Sequence, residues 1–220
     1  MAGGVGSRLG SITKKTPKPI IKINNKPYLE HMLNWLIRNG FKKFYFLLSY
    51  KNQKIRKFIS NFFFKKKLKY QIFIDKQRSG TFSALTDHIQ KIDKIFFYTN
   101  ADEISKINIK GCYSKFQKSK TKIMCGLLES KEGKFILDKS NQKIKYATGK
   151  DKKTYKDCGY KFINKQIFKG VKKRYKKLEE FIYFDYLEKN KVSYFIVKDK
   201  PLRIDTTLDI KRTKNELHKI

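Results

Sequence analysis

The residues of this sequence best placed to do chemistry are three glycines and two cations near its start. In MAGGVGSRLGSITKKTPKP, glycines stand at 3, 4 and 6, Arg8 follows, and Lys18 lies between Pro17 and Pro19. Glycine lets a backbone turn at positive φ and approach a ligand with no Cβ in the way. Successive N–H groups in such a turn form a concave anion site, commonly filled by phosphate. Arg8 offers a two-pronged guanidinium for phosphate oxygens, and the flanking prolines restrict where Lys18 can point. Two other phosphate loops are excluded. A G-x-G-x-x-G dinucleotide loop would need glycine where Leu9 stands, and no Gly-Lys-Ser/Thr follows at P-loop spacing. A tight turn feeding a helix is the plainer use of the same glycines.

A second set of chemistry-bearing residues follows short apolar runs. Ile95-Phe96-Phe97-Tyr98-Thr99 reads as a buried strand and leads directly into Asn100-Ala101-Asp102. In open α/β sheets, ligands gather beyond the carboxyl ends of strands, so Asp102 is a candidate. An aspartate that merely starts a turn is the competing reading. No Ser-His-Asp or Cys-His arrangement stands out. His31, His88 and His218 fall on expected helices, as surface or boundary residues.

Taken together, A-G-G-x-G-x-R-L and the later P-K-P, from Ala2 to Pro19, resemble the signature of sugar-phosphate nucleotidylyltransferases. These enzymes join a nucleoside triphosphate to a sugar 1-phosphate. The resemblance implies that Ala2, Gly3, Gly4 and Gly6 hold the triphosphate. It places Arg8 on the leaving pyrophosphate and Lys18 toward the α-phosphate. Asn100-Ala101-Asp102 stands where the family has Asn-Gly-Asp or a near variant, which implies Asp102 as a Mg²⁺ ligand. The stretch Leu202-Arg203-Ile204-Asp205-Thr206-Thr207-Leu208-Asp209-Ile210 looks like the family's I-D-x-G-T-x-x-D block. By that match Asp205 is the second metal ligand, and Thr207 is expected to cap the final helix.

The other family motifs match less fully. Ser79-Gly80-Thr81-Phe82-Ser83-Ala84-Leu85 resembles G-T-x-G-A-L, which implies that Gly80 and Thr81 touch the nucleotide; Ser83 replaces a glycine. Asp157-Cys158-Gly159 resembles Asn-Ala-Gly, which implies Gly159 at the sugar. Glu179 is the implied acceptor for a sugar hydroxyl, and Lys150 a remnant of a Glu-Lys sugar contact. The resemblance runs from Ala2 to about Leu217. Its stretch Asn24-Asn25-Lys26-Pro27-Tyr28-Leu29-Glu30 and short second half are most similar to the heptose 1-phosphate guanylyltransferase branch. Enzymes acting on mannose 1-phosphate and glucose 1-phosphate are close competitors. The implied reaction is in-line attack of a sugar 1-phosphate on the α-phosphorus of a nucleoside triphosphate, with Mg²⁺ as cofactor. The implied role is nucleotide-sugar supply, with GTP, for lipopolysaccharide or capsule. A non-catalytic homologue that keeps the fold stays open as an alternative, because Ala101, Ser83, Cys158 and Thr206 depart from the motifs.

Composition sets limits around this reading. The chain has 220 residues, 40% hydrophobic, with 18 Phe and 13 Tyr, enough for a full core. No run approaches the ~18 apolar residues of a membrane span, so no membrane partner is expected. Three cysteines, Cys112, Cys125 and Cys158, lack metal or redox spacing and read as reduced thiols of a cytoplasmic protein. The formal charge of +34 tempts one toward nucleic acid, and a basic nucleic-acid-binding protein is the remaining alternative. Only seven of the 53 basic residues are arginine, however, and lysine is spread along the whole chain. That pattern suits a solvated surface better than base reading, so no specific nucleic-acid partner is expected. The sequence leaves open whether the chain forms a homo-oligomer.

These residues need a scaffold to position them, and apolar periodicity describes one. Helices are expected over 28–39, 52–62, 81–92, 178–190 and 207–217, and strands over 44–48, 70–74, 95–99, 123–128, 159–163 and 192–197. A hairpin is expected around Ser140-Asn141, pairing 134–137 with 143–146. The alternation in the first half points to an α/β, Rossmann-like fold: a mainly parallel sheet with helices on both faces. The resemblance implies the nucleotidyltransferase, glycosyltransferase-A-like form of it. One domain over 1–220 is expected, with a nucleotide-binding half at about 1–110 and a sugar-phosphate-binding half at about 111–220. In the family, a strand ending in Leu-Ala-Gly-Gly precedes the glycine loop. Met1 stands in place of that Leu, so a first strand upstream of Met1 is a further expectation.

Overall fold

The computed structural model describes residues 9–10, 12–13, 16–49, 52–76, 79–171 and 175–220. In chain order, strands β1 (Lys22–Ile23) and β2 (Lys26–Pro27) lead into helix α1 (Tyr28–Arg38). Strand β3 (Lys43–Leu48), helix α2 (Asn52–Lys66) and strand β4 (Lys69–Ile74) follow. Next come α3 (Thr81–Thr86), β5 (Ile95–Tyr98), β6 (Glu103–Ile104) and α4 (Ile109–Lys118). Then come β7 (Ile123–Glu129), β8 (Phe135–Asp138), β9 (Lys143–Tyr146) and β10 (Tyr155–Asn164). The chain ends with α5 (Leu178–Ile182), β11 (Val192–Ile196), β12 (Leu202–Arg203) and α6 (Thr207–Glu216).

The chain gathers into two compact units that interleave along the sequence. The first comprises Met1–Arg78, Asn100–Lys106 and Pro201–Ile220; the second comprises Ser79–Thr99 and Ile107–Lys200. The units therefore do not divide at residue 110. The C-terminal segment joins the first unit because β12 pairs with β6, with Leu202 opposite Ile104 and Arg203 opposite Glu103.

In the first unit, Asn24 and Asn25 take φ of 48° and 66° and close the β1–β2 hairpin. Two consecutive left-handed residues suit such a turn, and asparagine tolerates them better than most. Helix α1 buries Tyr28, Leu29, Met32, Leu33, Trp35 and Leu36, the stripe that its sequence period requires. It stops where Gly40 turns at φ 93°. Strands β3 and β4 pair in parallel in register Lys43 to Lys69, and α2 makes the crossover between them. Phe63 of α2 lies 5.1 and 5.6 Å, ring to ring, from Phe44 and Phe46 of β3. Among the described residues, β4 is the only ladder partner of β3.

The second unit is built on a six-stranded sheet in the order β5-β10-β7-β11-β9-β8, with β10 also touching β8. Only β7 and β11 run parallel; β10 is antiparallel to both its neighbours. The sheet is thus mixed, because β10 runs antiparallel between β5 and β7 and the β8–β9 hairpin adds a further antiparallel pair. The expected hairpin is present, with Phe135 opposite Tyr146 and Asp138 opposite Lys143. Strand β10 starts four residues before the expected 159, and a β-bulge interrupts its register against β7 between Asp157 and Lys161. Gly159 sits in that bulge at φ 76°.

Several elements differ from expectation for local reasons. The helix expected over 81–92 ends at Thr86 and resumes as a 3-10 turn, Ile89–Lys91. The Thr86 hydroxyl donates to Ser83 O at 3.1 Å, a local bond that competes with helix continuation. The helix expected over 178–190 is α-helical only to Ile182 and widens to a π-turn, Tyr183–Leu187. Helix α4 was not expected: it buries only Ile109 and Phe116, too few for a stripe. Its one local signal is the Asn108 cap, whose Oδ1 accepts from Gly111 N at 2.9 Å.

Candidate active site

In the first unit, the β6–β12 ladder places two aspartates. Asp102 immediately precedes β6 and Asp205 lies just past β12, so the antiparallel register brings both to one end of the ladder. The ladder is held firmly. Glu103, 3% exposed, accepts from Arg203 Nη2 at 2.7 Å and Nε at 2.9 Å. The buried Tyr28 hydroxyl donates to Leu202 O at 2.6 Å, and Thr213 Oγ1 of α6 donates to Arg203 O at 2.7 Å.

Lys18 completes this group. It opens a 3-10 turn, Lys18–Ile20, with Pro17 extended before it and Pro19 inside it. Its Nζ donates to Asp102 Oδ2 at 2.6 Å and also to Asp205 Oδ1. Burial alone would lower the Lys18 pKa, but the Asp102 and Asp205 carboxylates outweigh it and hold the ammonium above its ordinary value. Three expected site residues, far apart in sequence, therefore meet at one nitrogen. The arrangement is one cation between two carboxylates that stay 33% and 27% exposed at their side chains.

Asp205 also leads into α6 through a capping box. The residue that caps is Thr206, not the expected Thr207. Thr206 Oγ1 accepts from Asp209 N at 3.1 Å, and Asp209 Oδ2 accepts from Thr206 N at 3.1 Å. Thr206 is in an extended conformation and Thr207 is already helical, so only the former can turn its hydroxyl toward the free N–H groups.

In the second unit, the other expected residues gather near the start of α5. Thr81 Oγ1 accepts from Leu178 N at 2.9 Å, and Gly80 packs so tightly that a Cβ there would lie 2.1 Å from Lys176 O. Gly80 thus has a packing reason to be glycine, besides its φ of 95°. Glu179 Oε1 accepts from Lys161 Nζ at 3.0 Å, and Asp157 Oδ2 lies 3.0 Å from the same nitrogen. Gly159 N donates to Asp157 Oδ1 at 2.5 Å, so the bulge aims this carboxylate. Tyr183 Oη of the π-turn donates to Asp157 Oδ2 at 2.5 Å.

Lys161 is the residue that sequence reasoning missed. It is fully buried in the middle of β10, where a lysine reads from sequence as an exposed strand residue. Burial would lower its pKa, yet Asp157 and Glu179 hold it well above the ordinary value. The same surroundings push the Tyr183 hydroxyl and the buried Cys125 thiol up, burial first and Asp157 next. A lysine among apolar strand residues, four from an aspartate, was the only signal. Lys150 takes no part in this cluster. Ala2, Gly3, Gly4, Gly6 and Arg8 lie outside the described residues.

Comparison with known proteins places the chain in a family. The family model described as nucleotidyl transferase matches residues 1–135. The D-glycero-alpha-D-manno-heptose 1-phosphate guanylyltransferase of Campylobacter jejuni is 28% identical over 197 residues, covering 86% of this chain and 84% of that protein. Among solved structures, HddC from Yersinia pseudotuberculosis complexed with GMP-PN superposes with a TM-score of 0.75 at 20% identity, covering 98% of this chain and 96% of that one. The inositol-1-phosphate CTP transferase from T. maritima does so with a TM-score of 0.78 at 17% identity, covering 99% and 93%. Both likenesses show a shared nucleotidyltransferase fold. With more than half its length matched by the family model and its aspartates gathered on one ladder, this chain belongs to the nucleotidyl transferase family.

Proposed function

We propose that this chain transfers a nucleotidyl group from a nucleoside triphosphate to a sugar 1-phosphate, releasing pyrophosphate and yielding a nucleotide-sugar. The observation that carries the reading is the convergence of Asp102 and Asp205 on one positive charge, Lys18 Nζ. Two partly exposed carboxylates around a single cation are a hard oxygen donor set. Such a set suits Mg²⁺, whose other ligands are ordinarily water and phosphate oxygens. Held by Asp102 and Asp205, Mg²⁺ would neutralise charge on the crowded phosphates.

The sugar 1-phosphate nucleophile is already an anion, so the reaction asks for no side-chain base. The chain's own contribution is alignment and charge neutralisation. The glycine loop and Arg8 would take the triphosphate and the departing pyrophosphate, and Gly80 and Thr81 would border the nucleotide. Glu179, with Oε1 fixed by Lys161 and its side chain 29% exposed, would accept from a sugar hydroxyl beside Gly159. GTP and a heptose 1-phosphate are the specific substrates we propose, on the strength of the Campylobacter relative's name. Supply of nucleotide-sugar for surface glycans, from the cytoplasm, follows from that choice. The chain has no helix long and apolar enough to cross a membrane among the described residues.

The test is pyrophosphate release from each of the four nucleoside triphosphates with heptose, mannose or glucose 1-phosphate, with Mg²⁺ or with EDTA. Release should require both substrates and Mg²⁺, with GTP and heptose 1-phosphate the fastest pair. A chain that binds nucleotide but never releases pyrophosphate would be a non-catalytic homologue, and the proposal would be wrong.

A further inference from the structure

The ammonium of Lys18 occupies one oxygen of each carboxylate that a metal shared by Asp102 and Asp205 would use. Its nitrogen is 2.6 Å from Asp102 Oδ2 and also bonds Asp205 Oδ1. Mg²⁺ sits about 2.0–2.1 Å from its carboxylate oxygens, so an ion bound to the same two oxygens would overlap the ammonium. A divalent cation and an ammonium in contact also repel strongly at a site this sheltered, with the Lys18 side chain 10% exposed.

We propose that Lys18 is an exchangeable place-holder: a divalent cation enters the Asp102–Asp205 pair only as the Lys18 ammonium leaves it. The inference rests on reading that pair as the metal site. Without metal, Lys18 compensates two carboxylates that would otherwise repel, and so keeps the site assembled. Pro17 and Pro19 each fix φ beside Lys18, which favours exchange by a swing of the four-carbon side chain. Once displaced, the ammonium needs another anion. A polyphosphate arriving with the metal supplies one, so free metal should bind more weakly than metal accompanied by phosphate. Lys18 thereby becomes available to substrate phosphate only when the metal is in place.

The test uses Mn²⁺ alone as the probe, on the whole chain. Its binding is measured by calorimetry for the wild type, Lys18→Met and Lys18→Met/Asp102→Asn. With the competing ammonium gone, Lys18→Met should bind Mn²⁺ roughly tenfold or more tightly, the scale of one lost charged hydrogen bond. The double variant should lose that gain. Equal or weaker binding by a folded Lys18→Met overturns the exchange while leaving the metal site standing. Absence of Mn²⁺ binding in both wild type and Lys18→Met overturns the metal site and the exchange with it. The wild type gives an independent measurement should the variant fail to fold. Acetylation of Lys18 by an N-hydroxysuccinimide ester, read by mass spectrometry, should rise several-fold on adding Mg²⁺. Labelling that Mg²⁺ leaves unchanged, or lowers, overturns the proposal.

Discussion

Lys161 Nζ lies 3.0 Å from Glu179 Oε1, joining the middle of β10 to the first turn of α5 through a fully buried ammonium. Asp157 makes the group a triad of one positive and two negative charges. Such a group need not stabilise the fold relative to apolar residues, but removing one member leaves an uncompensated buried charge. Lys161→Met should therefore lower unfolding free energy by about 3–5 kcal/mol in urea titrations. Replacing Lys161, Asp157 and Glu179 together by Met, Asn and Gln should restore much of the loss. If the single variant is as stable as the wild type, the triad is not compensating charge.

The same triad sets an alkaline limit. Lys161 in the folded chain titrates well above the ordinary lysine value of 10.5, and the Tyr98 and Tyr183 hydroxyls above their ordinary 10.0. Groups with raised folded values contribute stability that is complete below the unfolded value and is lost as pH rises toward the folded one. Their contribution should hold up to about pH 10 and decline above it, as followed by urea midpoints against pH. The neutral triple variant should show a shallower decline over that range.

Asp102→Asn and Asp205→Asn keep side-chain size and remove charge. Each should lower kcat by roughly 10²–10³-fold with the fold intact, as loss of one electrostatic stabiliser does elsewhere. The double variant should be little worse than either single one, since both act through one cation. Steady-state rates at saturating Mg²⁺ decide this; a near-wild-type rate in either single variant would remove that residue from the site.

Gly80→Ala should be disproportionately harmful for so small a change. Its φ of 95° strains any L side chain, and the new Cβ would lie 2.1 Å from the backbone oxygen of Lys176. A loss of about 1–3 kcal/mol is expected. Thermal unfolding should show it with or without nucleotide; a loss of nucleotide binding alone would show that Gly80 serves the ligand and not the packing.

The cap of α6 separates two neighbouring threonines. Thr206→Ala removes the hydroxyl that accepts from Asp209 N and should destabilise the chain by about 1 kcal/mol. Thr207→Ala, inside the first turn, should change stability far less. Equal effects in thermal melts would place the cap wrongly.

Features that depend only on neighbours along the chain were legible before folding is considered. The period of α1, the buried run of β3 and the hairpin of β8 and β9 all follow from local spacing. The motifs also named Lys18, Asp102 and Asp205 as residues of one reaction. That a single ammonium bridges the two carboxylates was decided only by tertiary structure. It depends on β12 returning to pair with β6, a contact no local signal encodes because each strand is two residues long. Lys161 was hidden for the same reason. A lysine in a strand reads as exposed until folding sets Asp157, Glu179 and Tyr183 around it, since only partners brought from elsewhere can hold a charge away from water.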